Sequence, residues 1–227
     1  MALCRAIAAL SLCVLLLFLA IPRLGAAIAL SSGNAAIGLI ESNTLPTRSG
    51  SLRAITAQET ALDILPSSVP HLNVALIALS MFETGGGSTD EDAVLLQVAR
   101  HHLDRSLALA PGQARAWMML ATVRLREGDP EQAASALSLS FLADPHAPFL
   151  ASARWPLTFL VQDRLDRDTR QWANLEYVAL FRSQPEPATR LALRQGRIDE
   201  LRALVLDSEM DTARLTGVLR RMQPGGA

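Results

Sequence analysis

Four carboxylates stand around a run of glycines: Glu83 precedes Gly85, Gly86 and Gly87, and Asp90, Glu91 and Asp92 follow. Two carboxyl groups with separated pKa values can act as acid and base on a glycosidic bond, and carboxylates on a flexible loop can hold a hard cation. The same residues have a plainer use. Thr89 and, three residues on, Asp92 have the form of a helix N-cap with an acidic partner, and the helix dipole favours acids in a first turn. Capping is therefore the expectation for this cluster, and an enzyme acting on glycans through Glu83, Asp90 or Glu91 is the competing class. His101 and His102 are adjacent, so a helix would point them about 100° apart, which is poor for chelation. Arg164, Arg167 and Arg170 alternate with Asp163, Asp166 and Asp168, which predicts a solvated, salt-bridged turn.

Other chemistries are removed by what the chain lacks. All 21 basic residues are arginine, so neither a P-loop lysine nor a Schiff-base lysine is present. Cys4 and Cys13 both lie near the N-terminus, leaving the body without a disulfide, a thiol nucleophile or a zinc-thiolate site. There is no G-x-S-x-G elbow and no H-E-x-x-H pair. A net charge of −1, with no basic patch interleaved with aromatics, argues against nucleic-acid binding. The reading is a chain with no cofactor, metal or nucleotide, and no catalytic residues of its own.

The elements that must position these residues are helices. Half of the residues are apolar, Ala, Leu and Arg are abundant, and no stretch alternates as a half-buried strand should, so the fold class expected is all-α. Pro111 and Pro145 stand 34 residues apart. Between them Trp117, Leu120 and Ala121 share one helix face; Gly128, Asp129 and Pro130 supply a stop, an N-cap and a first-turn proline; Ala133, Leu137 and Ser140 form the inward stripe of a second helix.

The Trp117, Leu120, Ala121, Ala133, Leu137, Pro145 pattern resembles the tetratricopeptide repeat (TPR) family, with departures at Arg124 and Ser140. Sliding the template along the chain and anchoring it on Pro185 gives a second copy over 154–187, with Leu157, Leu160, Val161, Ala173, Tyr177 and Leu180 in place. Residues 148–153 then read as the start of a lengthened first helix. Anchored on Pro111, the template finds Ala99, Leu103 and Ser106, and its first helix is placed at about His71 to Phe82. The organisation expected is an N-terminal segment over 1–31, a linker and first helices over 32–70, repeats over 71–187 (71–113, 114–147 and 154–187), and a degenerate repeat with a capping helix over 188–227. The resemblance implies a short right-handed solenoid that binds another protein, with the first helix of each unit lining a concave groove. In this chain that implies Arg115, Met118, Met119, Thr122 and Arg126 from one unit, and Trp155, Thr158, Phe159 and Gln162 from the next. The family's basic clamp for a C-terminal carboxylate is not matched, since Met118 and Thr122 stand where that clamp has Lys and Asn.

From Ala6 to Ile21 the chain has no charge, and Pro22 and Arg23 close the stretch. With its neighbours, residues 6–22 read as a membrane contact. Two readings stand. A retained anchor is favoured by the long core and by Arg23; a cleaved secretory signal would be cut near Gly25 to Ala29. The preferred orientation keeps the N-terminus inside and the repeats outside. The Arg-only, Ala-rich composition looks like that of a GC-rich bacterium, which places a single-pass protein in the inner membrane with periplasmic repeats. The function expected is a scaffold in envelope assembly such as polysaccharide export.

Overall fold

The computed structural model describes residues 2–42, 44–85 and 88–222. Among them every regular element is helical, and the chain divides into two compact units, one ending at Pro111 and the other beginning at Gly112. The first holds α1 (Ala2–Glu41), α2 (Arg48–Ile64), α3 (Ser68–Thr84) and α4 (Thr89–Leu109). The second holds α5 (Ala114–Arg126), α6 (Pro130–Ala143), α7 (Pro148–Val161), a 3-10 turn (Gln162–Arg164), α8 (Arg167–Ser183), α9 (Pro185–Arg194), α10 (Ile198–Val205) and α11 (Glu209–Met222).

In the first unit, α1 continues well past the apolar stretch from which it starts. Leu10–Ser31 has a mean hydropathy of 2.3 and is long and apolar enough to cross a membrane. Leu15, Leu16, Leu17 and Phe18 lie open on its surface. Pro22 sits inside the helix and donates no backbone hydrogen bond there, while the neighbouring Arg23 folds back so that its Nη1 donates to the Leu19 carbonyl at 3.0 Å. Residues 32–41, expected at the head of a linker, are the last turns of α1 and pack on α2. The packing uses small residues. A Cβ on Gly33 would stand 2.9 Å from Gln58 Nε2 and 3.2 Å from the Ala54 carbonyl, so any side chain here requires Gln58 to move and α2 to give way. Ala36, Ala54 and Ile77 then close a core shared by α1, α2 and α3, with Ile37, Ile40, Ile55 and Met81 around it.

Caps fix the ends of these helices. Thr47 Oγ1 accepts from the Gly50 N–H at the start of α2, and Ser88 Oγ accepts from the Glu91 N–H at the start of α4. The cap of α4 is thus Ser88, one residue before the expected Thr89, and Asp90, Glu91 and Asp92 fill the first turn. Gly85, with φ at 64°, ends α3; Gly86 and Gly87 lie outside the described residues. Two contacts bind α3 to α4. Ser106 Oγ donates to the Ser68 carbonyl at 2.9 Å, and the Nδ1 atoms of His71 and His102 meet at 3.0 Å. One ring donates and the other accepts, so at least one must be neutral. Burial, then the charges of His71 and His101, lower the His102 pKa to about 4, and burial also lowers that of His71.

In the second unit α5 packs on α6 and α7 on α8, while α7 also meets α5 and α8 also meets α6. The turn between α5 and α6 is built as its residues require: Gly128 takes φ 81°, Asp129 Oδ1 accepts from the Gln132 N–H at 3.0 Å, and Pro130 opens α6. Ala133, Leu137 and Ser140 are fully buried on α6, and Leu120 and Ala121 are buried on α5. Asp166 caps α8 by accepting from both the N–H and the hydroxyl of Thr169 at 2.7 Å, and these bonds hold its carboxyl below the usual range. Arg164 reaches Glu131 at 2.7 Å. Further on, Arg182 Nε donates to the buried Asp211 at 2.8 Å and ties α11 to α8.

Two outcomes follow for the first unit. Gly33→Leu should destabilise it by about 1–3 kcal/mol through overpacking, whereas Gly38→Ala, where an added Cβ meets nothing within 4 Å, should gain about 0.5–1 kcal/mol from helix propensity. Denaturation of the detergent-solubilised chain, followed by circular dichroism, reads both. Because the His102 pKa is lower folded than unfolded, its contribution is present above about 6.5 and fades as pH falls toward 4. We expect a loss on the order of 2 kcal/mol between pH 7 and 4.5 that His102→Gln largely removes; equal pH dependence in the two proteins would refute the assignment.

Candidate partner-binding groove

The element that positions the surface of the second unit is a buried arginine. Arg154 lies in the middle of α7 with no exposed surface. Its Nε donates to Ser140 Oγ at 3.0 Å and its Nη2 to the Ser140 carbonyl at 2.6 Å. Its Nη1 donates to the Asp144 carbonyl at 2.9 Å and to Glu176 Oε1 at 2.8 Å. The guanidinium also lies over the Phe141 ring, 4.5 Å from its centroid. Ser140 Oγ in turn donates to the Ala114 carbonyl at 2.7 Å. One side chain thereby binds the carbonyl of Ser140, which also accepts the Asp144 N–H, and that of Asp144 just past the end of α6, and with Ser140 it joins α5, α6, α7 and α8. Glu176 completes the arrangement as the carboxylate partner of Arg154, 5% exposed. Burial pushes the Glu176 carboxyl up to about 7, with the Arg154 charge pulling it the other way.

This arrangement decides which α7 residues face outward. The helix begins at Pro148, six residues before Arg154, where the repeat template begins. As a result Trp155 and Thr158 point inward. Trp155 is buried with its ring stacked on Tyr177, whose hydroxyl donates to the Ala188 carbonyl at 2.7 Å. The Thr158 hydroxyl bonds the Arg154 carbonyl at 3.0 Å. Phe159 is half-buried, edge-on to Trp155, with the Arg197 guanidinium 4.9 Å from its centroid, and Gln162 is half-buried in the 3-10 turn.

On α5, Met119 is buried. Met118 is half-buried against Ala114, Ala147 and Leu150, and the Thr122 hydroxyl bonds the Met118 carbonyl. Arg115 is half-buried and Arg126 exposed. The structure therefore gathers Trp155 and Phe159 into one cluster and Met118 into another, and leaves Met119, Trp155 and Thr158 without a surface to offer.

The outward side of α7 carries Phe149, Ser152 and Leu160. Phe149 is 70% exposed and Leu160 62%. Phe149 and Ser152 border a hollow of about 550 Å³ whose other walls include Leu180 and Gln184 of α8 and Leu191 of α9, with Arg190 and Arg194 at its rim. A second hollow of about 490 Å³ adjoins it through Pro148, Leu180 and Gln184, and is lined also by Leu175, Ala179 and the edge of Glu176. Volumes of this size accept several side chains of a bound segment. Arg190 and Arg194 are exposed and belong to no ion pair among the described residues. The template missed Phe149 because it fell in the spacer before the repeat. An exposed phenylalanine directly after a helix-opening proline was the signal that could have found it.

The carboxylates near the glycines belong to the first unit. Arg48 forms an ion pair with Glu91, and both line a hollow of about 200 Å³ with Asp92. Glu83 and Asp90 do not line it; both are exposed at the ends of α3 and α4. Among the described residues no group of three or more His, Cys, Asp or Glu side chains is placed to hold a metal. No known protein family matches the chain, and no curated protein sequence does.

Removing one partner of a buried pair strands the other's charge. Arg154→Ala should cost about 3–5 kcal/mol, while the joint change Arg154→Met with Glu176→Leu should cost far less or nothing. Trp117, Trp155 and Trp172 all lie in the second unit, so tryptophan fluorescence during denaturation follows it selectively. Equal losses in the single and double variants would refute the pairing.

Proposed function

We propose that the chain is a non-enzymatic scaffold of TPR type, held at a membrane by α1, which grips a segment of another protein in the hollow between α7, α8 and α9. The observation that carries this reading is the exposed Phe149 beside an apolar hollow rimmed by Arg190 and Arg194. An aromatic anchor next to an arginine pair fits a partner segment that presents an apolar side chain flanked by acidic ones. The pairing of α5 with α6 and α7 with α8, with α5 meeting α7 and α6 meeting α8, is what stacked helix pairs of a repeat array require.

Membrane anchoring draws support from the packing of α1. A cut near Gly25 to Ala29 would fall inside a helix whose Gly33 and Ala36 are already seated against α2, and it would remove or expose the buried Ala26. A retained anchor keeps these contacts. In a GC-rich bacterium, the cell type that the Arg-only composition resembles, this reading places the array on the periplasmic side of the inner membrane, in envelope assembly such as polysaccharide export.

A photo-crosslinking residue at Ser152 of the full chain in its membrane should yield a discrete adduct, and the same residue at Asp168, exposed in the first turn of α8, should yield none. Phe149→Ala should weaken capture about tenfold or more, the usual cost of truncating a central aromatic anchor. Equal adducts at both positions, or capture indifferent to Phe149, would sink the proposal.

A further inference from the structure

The first unit has two ends of opposite character. Gly33 against Ala54 and Gly25 against Ile64 show that α1 and α2 run antiparallel, so the end of α2 lies level with Gly25. The turn Leu65–Ser67 leads straight into α3, so Val69 belongs to the same end. The apolar residues exposed there are Leu24 and Ile28 on α1, Ile64, Pro66, and Val69, of which Leu24 and Ile28 are 63% and 65% exposed and Val69 53%. Two acid–base sets are exposed beside them: Arg23 and Asp63, and, in the last turns of α4 where Ser106 bonds the Ser68 carbonyl, Asp104 and Arg105. At the other end α1 and α3 finish and α2 and α4 begin, and there the chain carries Glu41, Arg48, Glu83, Asp90, Glu91 and Asp92.

The apolar end is also the end from which the uncovered part of α1 emerges. Counting back 20 residues from Gly25 reaches Ala6, a helical length of about 30 Å, which is the thickness of a hydrocarbon core. A helix that crosses over Ala6–Gly25 brings Ile64 and Pro66 level with the boundary of that core. α1 has no loop between its apolar stretch and its packed turns, so no slack is available to lift the unit away.

We propose that this end of the first unit is a lipid-facing surface, with Ile64, Pro66 and Val69 seated in the interfacial zone of the same bilayer that α1 crosses. The occupant is lipid because the surface continues the apolar face of α1 at the depth where the helix leaves the hydrocarbon. Contact is through apolar insertion: Arg23 and Arg105 are matched by Asp63 and Asp104, so this end has no excess of positive charge to draw anionic headgroups. The proposal rests on the reading of α1 as a retained anchor.

The test uses the full chain carrying Cys4→Ser and Cys13→Ser, with one new cysteine at a time labelled by an environment-sensitive fluorophore in phosphatidylcholine nanodiscs. The positions are Ile64→Cys and Val69→Cys, Thr84→Cys as the control at the charged end, and Leu16→Cys as the control in α1. Some of the lipids carry a spin label, either near the headgroup or deep in the chains. We expect the shallow label to quench positions 64 and 69 several-fold more strongly than position 84, the deep label to quench position 16, and high salt to change neither result. Quenching at position 16 with positions 64 and 69 behaving like 84 would overturn this proposal alone. No quenching at position 16 would overturn the anchor itself.

Discussion

An arginine with no exposed surface must find every partner inside the fold, and Arg154 imposes that demand on the second unit. The surfaces around it are Ala-rich: Ala116, Ala121, Ala133, Ala134 and Ala136 are all buried. Alanine lets helices approach closely but says little about how they should register, because dispersion between small side chains is non-directional. The five hydrogen-bond donors of a guanidinium are directional, and here they bind two carbonyls, a hydroxyl and a carboxylate. Polar restraint supplies the register that the apolar contacts leave open. Net stability is not the natural currency for this arrangement, since desolvation consumes much of what the ion pair gains.

The same restraint shapes the surface. Glu176 is bonded to Arg154 and forms part of the wall of the smaller hollow. A buried pair therefore ties the middle of α7 to the middle of α8, and the two hollows that flank these helices share Pro148, Leu180 and Gln184. A rigid frame beneath an exposed aromatic lowers the ordering cost of binding, because little beyond Phe149 itself must be immobilised.

Local chemistry was legible in the sequence wherever the determining residues are neighbours. The Gly128, Asp129, Pro130 turn folds as its residue types demand, the body is helical, and His71 to Phe82 lies within α3. What escaped depended on distant partners. Counting 34 residues back from the end of the third pair passes through the 3-10 turn at Gln162–Arg164, an insertion that shifts every earlier position, so Trp155 and Thr158 were placed outward although they are buried. Arg154 was invisible as a core residue because its carboxylate partner is 22 positions away and periodicity treats any charge as surface. His71 and His102 meet across 31 positions, so reading His101 with His102 alone missed the pair. Residues 32–41 looked like a linker because Gly, Ala and Ser mark flexible chain and close helix packing alike; only the carbonyl of Ala54 beneath Gly33 separates the two.

That ambiguity has a physical resolution in the first unit. A linker after an apolar helix would uncouple whatever follows from the orientation of that helix. Here the helix continues through Pro22 into turns whose small residues are matched to the backbone of α2, and a Cβ at Gly33 would press to 3.2 Å on the Ala54 carbonyl. The direction of the apolar stretch and the position of the unit are then one variable. A change of tilt in the first must move the ends of α2 and α3 with it, since neither Gly25 against Ile64 nor Gly33 against Ala54 can slide without a clash or a void. One continuous helix with glycines at its contact face thus fixes where the ends of α2 and α3 lie relative to the apolar stretch.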